Sequence, residues 1–131
     1  MRKPLALSFR VVSMWLCAAC TTAASLPAQP GPVTFVLDMR GPIRDGWFDT
    51  ATATVGLRGA VEPLSWSRTV PAEDPDGDSL YVVTISFPEA PYGGQPVAYK
   101  FKADGTASPN DGWEDGPNSV FSLTEAPQTI A

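Results

Sequence analysis

A polar loop after a strand-like segment carries the residues best suited to binding a polar ligand. From Pro96 the sequence alternates apolar and polar residues, which predicts a half-buried strand with Lys100 and Lys102 facing solvent. The loop that follows is rich in Gly, Asn, Asp and Pro and contains Trp113 and Glu114. An indole ring offers a flat apolar face, and a neighbouring ammonium or carboxylate can donate or accept hydrogen bonds. This combination favours a site for a sugar.

Acidic residues in the same loop raise the alternative of glycoside hydrolysis. A glycosidase places two carboxyl groups on either side of the bond that it cleaves. Asp111, Glu114 and Asp115 share one short loop, so they would lie on one side of a sugar. The sequence has no histidine, which excludes a Ser-His-Asp triad. We therefore expect no enzymatic activity, no catalytic residue and no cofactor.

A second acidic segment, Asp74-Pro75-Asp76-Gly77-Asp78, resembles the start of a calcium-binding loop. Its glycine is out of register for an EF-hand, and the twelfth position is Ile85 where that motif requires Glu. The segment therefore predicts a tight acidic turn and no metal site.

Length and composition indicate one turn-rich domain. The chain has 131 residues, including 14 prolines and 11 glycines, which favours many turns over long helices. Three of the nine basic residues precede the first acid, Asp38, so the remainder has six basic and fourteen acidic residues and a net charge of −8. Such a surface excludes binding to nucleic acid or to an anionic membrane through charge.

The N-terminal segment has the pattern of an export signal. The residues from Met1 to Arg10 carry only positive charge, Val11–Ala19 is apolar apart from one serine, and small residues follow. This pattern predicts a signal peptide over residues 1–28, followed by a linker over 29–32. The apolar run has about 10 residues, too few to span a membrane, which requires about 20.

Both cysteines lie in this segment. Leu16-Cys17-Ala18-Ala19-Cys20 resembles a bacterial lipoprotein box with Cys20 as the lipidated residue, although that motif has an aliphatic residue where Cys17 stands. Ordinary cleavage after Ala24 or Ala28 is the alternative. Both alternatives imply export, with the protein periplasmic, attached to the outer membrane or secreted. Membrane contact would come only through a lipid anchor.

The body, residues 33–124, alternates strand-like segments with turn clusters and has no helix-length segment of period 3.6. Because the strands are short and closely spaced, we expect an all-β fold, an antiparallel immunoglobulin-like β-sandwich of about six or seven strands. Residues 125–131 are expected to form a flexible tail. The predicted strands are Val33–Met39, Thr52–Arg58, Ser67–Val70, Leu80–Phe87, the segment from Pro96, and Ser119–Leu123.

Five short motifs occur in the order found in the starch-binding domain, carbohydrate-binding module family 20. They are Val-Thr-Phe from Val33, Gly-Leu-Arg-Gly from Gly56, Pro-Leu-Ser-Trp ending at Trp66, Tyr-Lys-Phe-Lys from Tyr99, and Trp-Glu-Asp-Gly-Pro-Asn-Ser from Trp113. The resemblance covers Val33 to Leu123 and extends to the glycogen-binding modules of family 48, which share the fold. One departure is Ser119, where the family motif has Arg.

This resemblance implies non-catalytic binding of an α-glucan, that is, starch, glycogen or a maltooligosaccharide. It implies that Trp66 and Trp113 stack on glucose rings. It further implies that Lys100 and Asn118 bind sugar hydroxyls, and that Glu114 accepts from a hydroxyl or orients Lys100.

Other interpretations of the same residues remain open. Trp66 and Trp113 can instead pack in the core, and core packing is the preferred interpretation for Trp47. Modules of this kind usually accompany an amylase, and we expect no catalytic domain within these 131 residues. The alternative function is therefore a cell-envelope interaction or structural domain, or an accessory subunit of a separate hydrolase, that has lost sugar binding.

Overall fold

The computed structural model describes residues 23, 28–87, 94, 96–106, 108 and 110–131. Most of the predicted signal peptide, including Cys17 and Cys20, lies outside these residues. Among the described residues, no helix has the length and apolar character needed to cross a membrane. The elements are β1 (Val33–Asp38), α1 (Arg40–Arg44), β2 (Thr54–Gly59), β3 (Val70–Pro71), β4 (Leu80–Ile85), β5 (Pro96–Asp104), β6 (Ser119–Ser122) and β7 (Gln128–Ile130).

The strands form two sheets. One has the order β4-β1-β7 and the other β3-β2-β5-β6. β1 and β4 pair antiparallel, with Phe35 opposite Val83, and β2 and β5 pair antiparallel, with Leu57 opposite Phe101. Seven strands in two sheets confirm the prediction of an all-β sandwich.

Three details differ from the prediction. Gln128–Ile130, placed in a flexible tail, forms β7, which pairs parallel with β1 and so departs from an all-antiparallel arrangement. Ile130 packs against the core, and this apolar contact explains why the segment is held. A single helical turn, α1, follows β1, and β3 has only two residues.

Two apolar clusters fill the space between the sheets. The larger surrounds Phe35, whose ring lies 5.0 Å from that of Tyr99 and 5.4 Å from that of Phe121 between centroids. The smaller lies near α1 and consists of Met39, Phe48, Ala53, Val55 and Ala103. Trp47 is half-buried and packs against the smaller cluster, as its predicted core role requires.

The loop between β5 and β6 lengthens the sheet by one short pairing. The Ala103 N–H donates to the Gly112 carbonyl at 2.7 Å, and the Glu114 N–H donates to the Phe101 carbonyl at 3.1 Å. Gly112 has a φ of +77°, and a Cβ there would lie 1.8 Å from the Ala103 carbonyl oxygen. Only glycine therefore lets the loop lie this close to β5.

Candidate ligand-binding site

Two indole rings lie together on the outer face of the four-stranded sheet. The ring centroids of Trp66 and Trp113 are 6.4 Å apart, and the ring planes are inclined by 49°. Trp66, from the β2–β3 loop, is 38% exposed, and Trp113, from the β5–β6 loop, is half-buried. The structure thus brings together two residues that are 47 positions apart in sequence. We call them the tryptophan pair.

Arg58 of β2 connects the two loops of the tryptophan pair. Its Nη1 donates to the Trp66 carbonyl at 2.9 Å, and its Nε donates to the Thr69 hydroxyl at 2.9 Å. The guanidinium carbon lies 5.1 Å from the centroid of the Trp113 ring, within the range of a cation–π interaction. One side chain therefore holds the Trp66 loop by hydrogen bonds and the Trp113 ring by its charge.

The carboxylate of Asp104, at the end of β5, joins these groups. It accepts from the Thr69 hydroxyl and lies 3.4 Å from an Arg58 nitrogen and 3.5 Å from the Lys102 Nζ. Burial opposes its ionisation, but the hydroxyl donor and the two cations outweigh burial and lower the pKa of Asp104. Arg58, Thr69, Lys102 and Asp104 form what we call the polar network.

Lys102 does not face solvent as the alternation predicted. Only 6% of the residue is exposed, so that prediction is wrong. Trp113 bridges Lys102 across the short pairing and so stands beside it on the same face, with its ring centroid 5.5 Å from Nζ. The ammonium group donates to the Asp111 carbonyl and lies 3.6 Å from the Asp111 carboxylate. The ring covers the lysine, and the loop supplies oxygens that replace water.

The remaining predicted contacts lie along the same loop. Lys100 donates to the Gly116 carbonyl and so fixes the loop. Glu114 is half-buried and accepts from the Phe101 N–H at 3.2 Å, so its recorded partner is the β5 backbone. Asn118 is exposed immediately before β6.

Two residues that sequence reasoning missed are central here. The sequence indicates Arg58 only as part of a strand and gives no signal for Asp104. The register of β2 against β5 carries a signal for Arg58. Arg58 stands opposite Lys100 in this pair of strands, so an alignment of the two predicted strands places Arg58 beside the site.

The acidic segment that contains Asp74, Asp76 and Asp78 forms a turn. The side-chain oxygens of Asp74, Asp76 and Asp78 lie within 4.8 Å of one another. Asp74 already accepts from the N–H groups of residues 77, 78 and 79, an arrangement that accounts for the cluster as a turn.

A cavity of about 350 Å³ lies between the end of β1, Trp47, β5 and the 110–115 segment.

No family model matches the sequence, and no curated protein matches it significantly. The fold and the candidate site together describe a β-sandwich that carries an aromatic patch, the tryptophan pair, on the outer face of one sheet.

The pKa of Asp104 predicts an acid-sensitive site. Because its folded-state pKa lies below the usual value of about 3.9, the polar network contributes its full stability above that pH. This contribution is lost as the pH falls through the lowered pKa. We expect the free energy of unfolding to decrease below about pH 4 more steeply in the wild type than in Asp104→Asn. Urea titrations across that pH range check this, and identical slopes would contradict it.

Proposed function

We propose that this protein binds an α-glucan of the starch or glycogen type, without catalysis, at the tryptophan pair. The observation that carries the proposal is the pair itself: two indole rings from separate loops, 6.4 Å apart, with Trp66 38% exposed. Aromatic faces stack on the apolar faces of sugar rings, and the order of the sequence motifs supports the glucan class.

The inclination of the rings supports a curved ligand. Two ring planes at 49° cannot both lie flat against a straight ribbon of coplanar sugars. They suit a chain whose successive rings turn, as they do in an α-linked glucan. The polar network holds the angle, because Arg58 contacts both loops.

Hydrogen bonds at the rim would set the orientation of the sugar. Asn118 is exposed, and the Lys100 ammonium retains donor capacity beyond its bond to Gly116. Glu114 has one carboxylate oxygen anchored on β5, and its second oxygen can accept from a hydroxyl. These three residues are the proposed polar contacts.

The acidic residues of the loop support binding without hydrolysis. The Asp111 carboxylate lies beside Lys102, Glu114 accepts from Phe101, and Asp115 accepts from the Asn110 amide at 3.4 Å. Each has an ion-pair or hydrogen-bond partner that orients it. Because Asp111, Glu114 and Asp115 belong to one short loop, we infer that they lie on one side of a bound sugar.

Calorimetric titration with β-cyclodextrin, a compact cyclic α-glucan, tests the proposal. We expect saturable binding with a Kd of about 10 μM to 1 mM, because stacked aromatics contribute only about 0.5–1.5 kcal/mol each beyond buried area. Trp66→Ala should abolish the heat. Val82→Ala is the matched control, because Val82 is also 38% exposed but belongs to the other sheet. Absence of heat up to several millimolar, with folded protein, would refute glucan binding.

One observation favours the second candidate, an envelope interaction domain. Val120 on β6 is 60% exposed, and an apolar side chain on an outer strand suits contact with another protein.

Under both functions we propose that the protein is exported, that Cys20 is the lipid attachment point of an anchored form, and that a separate hydrolase is a partner. Mass spectrometry of the mature N-terminus distinguishes lipidation at Cys20 from cleavage after Ala24 or Ala28.

A further inference from the structure

The cavity beside Trp47 adjoins the tryptophan pair, because Trp113 belongs to the pair and also lines the cavity. Phe101 and Ala103 of the inner face of β5 line it, and so does Lys102 between them. Trp66 does not line it. A ligand in this cavity would share Trp113 with a ligand on the tryptophan pair, and Trp47 and Trp66 distinguish the two positions.

The walls of the cavity are mainly apolar. Its volume of about 350 Å³ falls at the lower end of the range of about 300–1,000 Å³ for small-molecule sites. The apolar lining includes Leu37, Met39, Pro42, Trp47, Val55 and Phe101. Such walls favour a ligand with a compact apolar body.

The charges around the cavity do not cancel. Asp38 is paired with Arg40 at 2.6 Å. Lys102 is balanced by the carboxylates of Asp104 and Asp111. Among the described residues, the two other acidic lining side chains have no cation partner.

Those two side chains are Glu114 and Asp115, whose recorded partners are the Phe101 N–H and the Asn110 amide. Two uncompensated carboxylates at the rim repel anions and attract cations.

We propose that this cavity binds a small organic cation with an apolar body, of the alkylated ammonium class. A methylated ammonium group is weakly hydrated, so apolar walls cost it little, and the faces of Trp47 and Phe101 can receive it. A metal ion would need several converging oxygens. Within the described part of the chain, the group of three such residues is Asp74, Asp76 and Asp78, none of which lines the cavity.

The test compares two probes of the same shape, choline and its uncharged analogue 3,3-dimethyl-1-butanol, by calorimetry on the full chain. We expect choline to bind at least about 10-fold more tightly than the neutral analogue. Asp115→Asn removes one uncompensated charge from an exposed residue and should weaken choline binding about 3- to 10-fold without unfolding the protein. Trp47→Ala should abolish binding, provided that circular dichroism shows a folded protein.

Three results would overturn the proposal. The first is no heat with choline up to about 50 mM. The second is equal affinity for the neutral analogue, which would identify a purely apolar cavity. The third is loss of choline binding in Trp66→Ala with Asp115→Asn unaffected, which would place the cation on the tryptophan pair. Trp66→Ala tests glucan binding and Asp115→Asn tests cation binding. Either proposal can therefore be refuted without refuting the other.

Discussion

Replacing Gly112 with alanine is expected to destabilise the domain by about 2–4 kcal/mol and to abolish binding at the tryptophan pair. A Cβ at this position would lie 1.8 Å from the Ala103 carbonyl oxygen, a backbone atom that cannot rotate away. The loop would have to leave β5, which breaks the Ala103–Gly112 hydrogen bond. Because Trp113 is the next residue, its ring would lose its position beside Lys102. Urea unfolding followed by circular dichroism measures the stability, and calorimetry with β-cyclodextrin measures the binding.

Gly77→Ala is the matched control for this substitution. Gly77 has a φ of +74°, close to the +77° of Gly112, but a Cβ there meets no atom within 4 Å. It therefore incurs only the cost of a left-handed backbone, about 1–2 kcal/mol, and should leave binding intact. Equal effects of the two substitutions on both readouts would show that the contact with Ala103 is unimportant.

Lys102→Met is expected to cost about 2–3 kcal/mol of unfolding free energy and to weaken glucan binding. Methionine fills a similar volume, so the change removes charge and hydrogen bonding with little loss of packing. The Asp111 carbonyl would lose its donor, and among the described residues Asp104 would keep Arg58 as its cation partner. Trp113 would lose one of its two cations, so its ring should become more mobile.

Lys100→Met provides the comparison on the same strand face. Lys100 is half-buried and its recorded contact is the Gly116 carbonyl, so its removal should cost only about 0.5–1 kcal/mol. Stability and binding measured in parallel separate the two lysines. If Lys100→Met destabilises the protein as much as Lys102→Met does, the buried environment of Lys102 has no energetic role. Lys102→Arg tests whether charge alone suffices.

The sandwich was predictable because its longer strands each carry a periodic signal. The alternation from Val33 and from Leu80 identifies β1 and β4 within two residues of their observed ends. β7 was missed, since Gln128–Ile130 is too short to show a period and follows a proline. Its pairing depends on contact between distant parts of the chain, and local sequence does not encode that contact.

The proximity of Trp66 and Trp113 was predictable from the sequence, and the polar network around them was not. A tryptophan in a polar loop is conspicuous, and the motif order linked Trp66 with Trp113. Burial of Lys102 arises from a loop that returns across the sheet, so the alternation that places a lysine outward cannot show that it becomes covered. The convergence of Arg58, Thr69 and Asp104 likewise depends on the register of β2, β3 and β5.

The parallel pairing of β1 with β7 has a consequence for the folding of the chain during synthesis. β1 lies between β4 and β7 in the three-stranded sheet. Because β7 ends at Ile130, this sheet stays incomplete until residue 130 has been made. Contacts of such long sequence separation slow folding. A chain ending near residue 124 would present the bare edge of β1 to other molecules, and this nascent intermediate would be prone to aggregation. This order of events would keep the chain unfolded during the export that we propose.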